Sequence, residues 1–443
     1  MSPSTALLER LVPVDSPTPQ QPDAAAWLKA NGLPTRHDES WKYTPLDRIL
    51  AITFERQLPA AGTLPDRATI DTSSGNHGGP RIVFVNGAFV AALSDIDVLP
   101  DGVECSAESD SATIVSDPAA RPDGFQALNR VAGNDGAIVR IAEHVVVTAP
   151  IHIVHFAATS TTSVAVHPRT TILVGRGSRA TVIESFVGTA GEHLTNAVTT
   201  IDLATDCTLT HHRIQSEGIG AVHIGATNVV QHAGSSYYGS SFSTGSEIAR
   251  NAADVVLAGP GADTRLSGMY LPRGSQLHDN IVTVEHRASR CTSNQLFKAV
   301  VDDRARGSFS GRILVQPNTV GTDSHQTSRS LVLEPTAQAD TRPWLEILAD
   351  DVVCTHGATI GQLDEEALFY LRTRGVSAEL ARSMLVEAFI GELIDAVETP
   401  SLRAHLESEV TTHLAGRYAG HTTDRDAADE DDDIAPAELR STP

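Results

Sequence analysis

Residues Thr170–Gly188 read TTILVGRGSRATVIESFVG. Two runs rich in Val, Ile and Thr flank a short polar corner containing two glycines, the pattern of a strand, a tight turn and a second strand. The same texture recurs in TTIDLATDCTLTHHRIQ (199–215), DVVLAGPGADTRLSGMYL (254–271), KAVVDDRARGSFSGRILV (298–315) and SLVLEPTAQADTRPWLEIL (330–348). The corners fall near residues 176, 205, 260, 303 and 336, at uneven intervals of about 29 to 55 residues, so there is no strict sequence repeat. Some nine to twelve strands without intervening helices exclude an alternating βαβ plan. A sandwich, a barrel and a parallel β-helix remain. The β-helix is favoured because such stacks need caps, and the chain turns helical on both sides of the β stretch.

Upstream, PDAAAWLKANG is a helix bounded by Pro22 and Gly32, and Pro45 interrupts the next helical stretch at Thr44. Downstream, Asp364 is an N-cap followed by Glu365 and Glu366 in the positive first turn. Arg372 and Arg374 lie in the negative last turn, which Gly375 ends. A second helix spans Ser377 to about Val397. One apolar stripe holds Val386, Phe389, Ile390, Leu393 and Val397, and another holds Ala381, Leu385 and Ala388. One stripe can pack on the chain's own core, and the other awaits Leu402, Leu406 and Leu414 or a partner. The expected organisation is an N-terminal helical region and linker (1–80), a mainly β core (81–362), a C-terminal helical domain (363–420) and an acidic disordered tail (421–443).

The formal charge of −22 over 443 residues argues against nucleic acid or an anionic membrane as a main partner. It suits basic proteins and metal cations. Cys105, Cys207, Cys291 and Cys354 are far apart, no secretory signal opens the sequence and no apolar run has spanning length, so a reduced cytoplasmic protein is expected. No Walker A motif and no GxSxG occur, and the GxG of GRGSRA joins two strands rather than opening a helix. Those glycines are corner residues.

The 18 histidines offer few chelating pairs. His211 and His212 are adjacent and fall on opposite strand faces, as do His152 and His155; these read as surface or core-edge residues. HDNIVTVEHRASRC brings together His278, Asp279, Glu285, His286 and Cys291, the set a carboxylate-based glycoside site on a β-helix would draw on. Cys354 and His356, in DDVVCTHGATIGQ, lie two apart and share one strand face. They supply two of the four ligands a borderline metal usually takes. A distant coil or another subunit would have to complete the set; otherwise they are a buried thiol beside a structural histidine. No oxyanion-hole element accompanies them for nucleophilic catalysis.

The segments CTSNQLFKAVVDDRARGSFSGRILVQPN (291–318) and TDSHQTSRSLVLEPTAQADTRPWLEILADDVVCTHGATIGQLDEEALFYLRTRGV (322–376), with WKYTPL at Trp41 and FQALNRV around Asn129, resemble the SufB/SufD family of iron–sulfur cluster assembly proteins. The likeness covers nearly the whole chain and is densest from about 285 to 397. It implies a right-handed parallel β-helix flanked by helical domains. It also implies a non-catalytic scaffold subunit of a SufB–SufC–SufD complex, in which a nascent cluster forms and the SufC ATPase docks on the C-terminal helices. Here TDSHQTSRSLVL lacks the cysteine that SufB carries, and Gly357 stands where SufB has glutamate; both departures resemble the SufD side. The resemblance carries an interface role to His356, beside a SufB thiolate, and a less secure one to Cys354. Phe369, Tyr370, Arg372, Arg374, Phe389, Ile390 and Leu393 become candidates for docking SufC. The implied cofactor is a transient iron–sulfur cluster shared with SufB, its sulfur delivered through SufB. Reduced flavin is admitted in the complex, and no group is expected to stay on the isolated chain. The competing reading is a polysaccharide-acting β-helix enzyme; another is a homodimer working without SufB.

Overall fold

The computed structural model describes residues 3–12, 22–56, 64–107, 123–133, 136–158 and 163–418; the acidic stretch Asp424–Asp433 lies outside them. The chain divides into two compact units, Met1–Leu363 and Asp364–Pro443.

The first unit is a parallel β-solenoid. From Arg169 onward each strand enters the opposite sheet from its predecessor. Arg169–Val174 lies in one sheet and Arg179–Gly188 in the other, His193–Leu203 returns to the first, and the alternation runs to Gln338–Ile347 and Val352–Gly361. The strand–corner–strand units of the sequence are therefore not hairpins. Their two arms face each other across the core, and each arm hydrogen-bonds to the equivalent arm of the next coil. The pairings along this run are parallel, with partners from 26 residues apart (Val222 and Ile248) to 32 (Arg306 and Gln338). This drift hides the period from a sequence reading. The described residues form 21 strands, about twice the number the sequence suggests. The surplus includes Ser236–Ser243, SYYGSSFS, whose serines and glycine carry little β signal.

The corners work as expected where the chain must turn left-handed. Gly177 has φ +66° and Asp206 φ +59° at the equivalent place one coil on. The inside of the solenoid is divided lengthwise. One side is apolar, including Val182, Leu203, Leu209, Val229, Val255 and Val284. The other carries Glu184, His211, Arg213, His223, Asn251 and Asn280, all buried.

The N-terminal segments that carry the family resemblance are fastened to the outside of the solenoid. The Trp41 ring stacks on Phe125 at 5.0 Å and lies under the Arg250 guanidinium at 4.0 Å. Thr44 donates to Asp279 at 2.6 Å, and Arg250 pairs with the same carboxylate at 3.0 Å. Asn129 donates to the carbonyls of Pro168 and Asn196, so FQALNRV (in the helix Gly124–Ala132) is tied to two coils by one amide.

In the second unit, helices span Glu365–Thr373, Ala378–Asp395 and Pro400–Tyr418. Asp364 accepts from the amides of Glu366 and Ala367, as the sequence indicates, and Ser377, where the sequence starts the second helix, caps it by accepting from Leu380. Pro400 opens the last helix, at the position where its missing N–H costs nothing.

Candidate functional site

Cys354 and His356 sit on Val352–Gly361, the end strand of its sheet. Register fixes what lies behind them. Ser293, Ser324 and Cys354 are successive partners, as are Gln295, Gln326 and His356, so each candidate residue ends a column of inward-facing side chains. The first column is a hydrogen-bond chain: His286 Nε2 lies 3.0 Å from Ser293 Oγ, which lies 2.6 Å from Ser324 Oγ. In the second, Gln326 Nε2 donates to Gln295 Oε1 at 2.7 Å. Ser293, Ser324, Gln295 and Gln326 are 3% exposed or less, yet one coil later Cys354 is half-buried and His356 is exposed. The coil that would cover these columns is not among the described residues. Ile347, Leu348, Val353 and Ile360 add exposed apolar surface to the same terminal coil.

Burial and the neighbouring Asp323 carboxylate raise the Cys354 pKa above the usual thiol value. It therefore stays a thiol at neutral pH, the opposite of an activated nucleophile. His325, one position off the column, turns to the other face, where it meets Thr355 at 2.7 Å and Asp323 at 3.0 Å. Cys354 and His356 thus share one strand face at the end of the solenoid. Among the described residues no three His, Cys, Asp or Glu side chains gather as a metal site would require. A cluster held here would take its remaining ligands from outside the described residues.

The other sequence candidates are committed elsewhere. Asp279 is held by Arg250, Thr44 and Ser308, while Glu285 is held by Arg287 and Gln316. The two carboxylates serve separate partners and do not face each other as an acid–base pair. His152, His155, His211 and His212 are interior residues, not surface or core-edge ones. His155 and His211 flank Glu184 at 3.6 and 3.4 Å, with Thr170 and Thr199 donating to its two oxygens. A second carboxylate, Glu217, lies between His193 and His223 at 3.5 and 2.8 Å. These partners hold both carboxyls well below the usual range despite complete burial. The sequence reading missed both clusters. The available signal was Glu184 in VIESF, an acid at an inward position between Val182 and Phe186.

In the helical unit, Phe369, Tyr370, Arg372 and Arg374 are exposed, with the Arg374 guanidinium over the Tyr370 ring at 5.2 Å. Phe389 is half-buried. Ile390 and Leu393 are buried, so these two hold the helices together and cannot form a docking surface. Leu380 and Met384 are the exposed apolar residues of the middle helix. No helix among the described residues is long and apolar enough to cross a membrane.

The SufBD core domain family, of the SUF system for FeS cluster assembly, matches residues 156–389, and the SufBD N-terminal region family matches residues 18–153. The chain is 31% identical over 409 residues to the iron–sulfur cluster assembly protein SufD of Escherichia coli, covering 90% of this chain and 93% of that protein. It is 30% identical over 411 residues to an iron–sulfur cluster assembly SufBD family protein of Synechocystis, covering 88% of this chain and 89% of the relative. A SufBD family protein of Mycobacterium leprae is 35% identical over 178 residues, 38% of this chain and 45% of the relative. With its parallel solenoid and helical ends, the chain belongs to the SufBD family of iron–sulfur cluster assembly proteins.

Proposed function

We propose that this chain is a SufD-type scaffold subunit that completes a cluster-assembly site with a SufB partner through its last coil. The observation that carries the reading is the emergence of two buried columns at the end of the stack, where Cys354 and His356 come to the surface. A solenoid that ends on inward-facing side chains, unpaired strand edges and exposed Val353 and Ile360 offers a face on which a second solenoid can continue the stack. His356 offers an imidazole nitrogen to the nascent cluster, which is cargo, and the SufB partner contributes thiolate. The protonated Cys354 thiol is the weaker donor until a metal displaces its proton. An incomplete ligand set on each subunit suits a scaffold that must release what it builds.

The helical unit is the proposed docking element for the SufC ATPase, through Phe369, Tyr370, Arg372 and Arg374, with Leu380 and Met384 in place of the buried Ile390 and Leu393. Movement of docked SufC would act on the SufB–SufD seam as a lever. The subunit itself carries out no chemical step in this scheme.

His356→Ala tests the reading. The variant is expected to co-purify with SufB and SufC like the wild type, while anaerobic spectroscopy of the complex and maturation of client proteins in cells show loss of the cluster. Wild-type maturation by the His356→Ala complex refutes the ligand role.

A further inference from the structure

Between the two sheets, coils from Thr208–Ser216 to Thr292–Val301 line a partly open cavity of about 50 Å3. Arg213, Tyr237, Asn251 and Asn280 contribute polar groups to its wall, and Leu266 and Phe297 apolar ones. The wall is not finished by protein contacts. Neither atom of the Asn251 side-chain amide has a hydrogen-bond partner, nor has Asn280 Nδ2 or Arg213 Nε, and all three residues are more than nine-tenths buried. Asn251 and Asn280 are direct register partners on adjacent strands, so their amides stand side by side on one wall. Buried amides without partners are costly and rare in folded proteins. A cavity needs roughly 10–15 Å3 to hold one water, so this one has room for water.

We propose that this cavity is a built water site: a small cluster of ordered waters held by the Asn251 and Asn280 amides and Arg213 Nε. Charge favours water over an anion. Arg213 already lies beside Glu184 on the neighbouring strand and bonds to His223, which pairs with Glu217, so the guanidinium's charge is met by two carboxylates. The composition of the wall favours water over an apolar guest. A dry cavity is lined by hydrocarbon, whereas this one presents both donors and an acceptor. The site lies in the middle of the solenoid, away from its last coil.

The test is a crystal structure of the full-length protein at a resolution that shows single waters, with xenon-pressurised and bromide-soaked crystals alongside. Density for one or more waters within hydrogen-bond distance of Asn251 and Asn280 is the expected result. A cavity that is empty, or one that fills with xenon or bromide instead, overturns the proposal. Asn251→Leu supplies a second measurement, because leucine has the branched shape of asparagine but no polar atoms. The waters on Asn251 should vanish in that variant while the solenoid keeps its register. An unchanged water pattern in Asn251→Leu also overturns the assignment.

Discussion

Replacing His286 with glutamine tests the claim that the solenoid interior stores neutral histidines whose protonation opposes folding. His286 is fully buried, with Nε2 at 3.0 Å from Ser293 Oγ and no hydrogen-bond partner at Nδ1. Burial alone pushes its pKa down to about 4. An unfolded histidine takes up its proton near pH 6.5, so below that value the unfolded state binds a proton that the native state refuses. Stability therefore falls as the pH drops from about 6.5 towards 4, where the native imidazole at last protonates. Between pH 7 and pH 5 the loss from this one residue is roughly 2 kcal/mol, of about 3 kcal/mol over the whole window. Glu184 and Glu217 leave the interval from pH 7 to pH 5 almost undisturbed. Their lowered native pKa values give stability that is present above the ordinary carboxylate range and is lost only as the pH falls through it and below. Urea unfolding of wild type and His286→Gln at pH 7 and pH 5 isolates the term. Glutamine keeps a polar group towards Ser293 and cannot charge. The wild type should lose about 2 kcal/mol more than the variant between the two pH values. Equal losses would show that His286 does not oppose protonation, and the reasoning from its burial would fail.

Four further outcomes follow from individual positions. Glu217→Ala leaves His193, His223, Gln215 and Ser246 facing a void in the core and should cost at least about 1–3 kcal/mol in chemical denaturation, the range for leaving a buried hydrogen-bonding group unsatisfied. Gly268→Ala places a methyl group in the Phe297 ring and should cost roughly 1–3 kcal/mol, whereas Gly357→Glu meets nothing within 4 Å and should leave the melting temperature within about a degree of wild type. Asp364→Ala removes the bonds to the Glu366 and Ala367 amides; it should cost about 1 kcal/mol and show first as faster amide exchange over residues 365–373.

What was legible in the sequence was local. The alternation around corners such as GRGS marked individual strands, and Asp364 and Ser377 marked helix starts, because strand faces and caps are set by residues close together in the chain. The helical ends tipped the choice towards a solenoid without showing that the two arms of each corner lie in opposite sheets. That fact rests on pairings 26 to 32 residues away, and the uneven spacing leaves no fixed period to detect. The pairing of Cys354 with His356 could be read because a two-residue step is a property of one strand. Their meaning could not, since it lies in Ser324 and Gln326 a whole coil earlier.

The same distinction explains the errors in the helical unit and the core. Phe389, Ile390 and Leu393 form a stripe at helical spacing, but spacing alone does not say whether a stripe meets the chain's own helices or a partner. Ile390 and Leu393 are buried against the chain's own residues, whereas Phe369 and Tyr370 stay exposed. His155 and His211 read as unrelated residues on two strands because Glu184, which joins them, lies between them in space and on a third strand. Its carboxylate is tolerable there only because both imidazoles and two threonine hydroxyls complete its shell. A site assembled from three strands is invisible to any window shorter than a coil. At the end of the stack the next coil is missing, so the columns behind Cys354 and His356 have no continuation within the described chain. The proposed partner site lies where the polar columns come to the surface, whereas the equally polar middle is covered by coils on both sides.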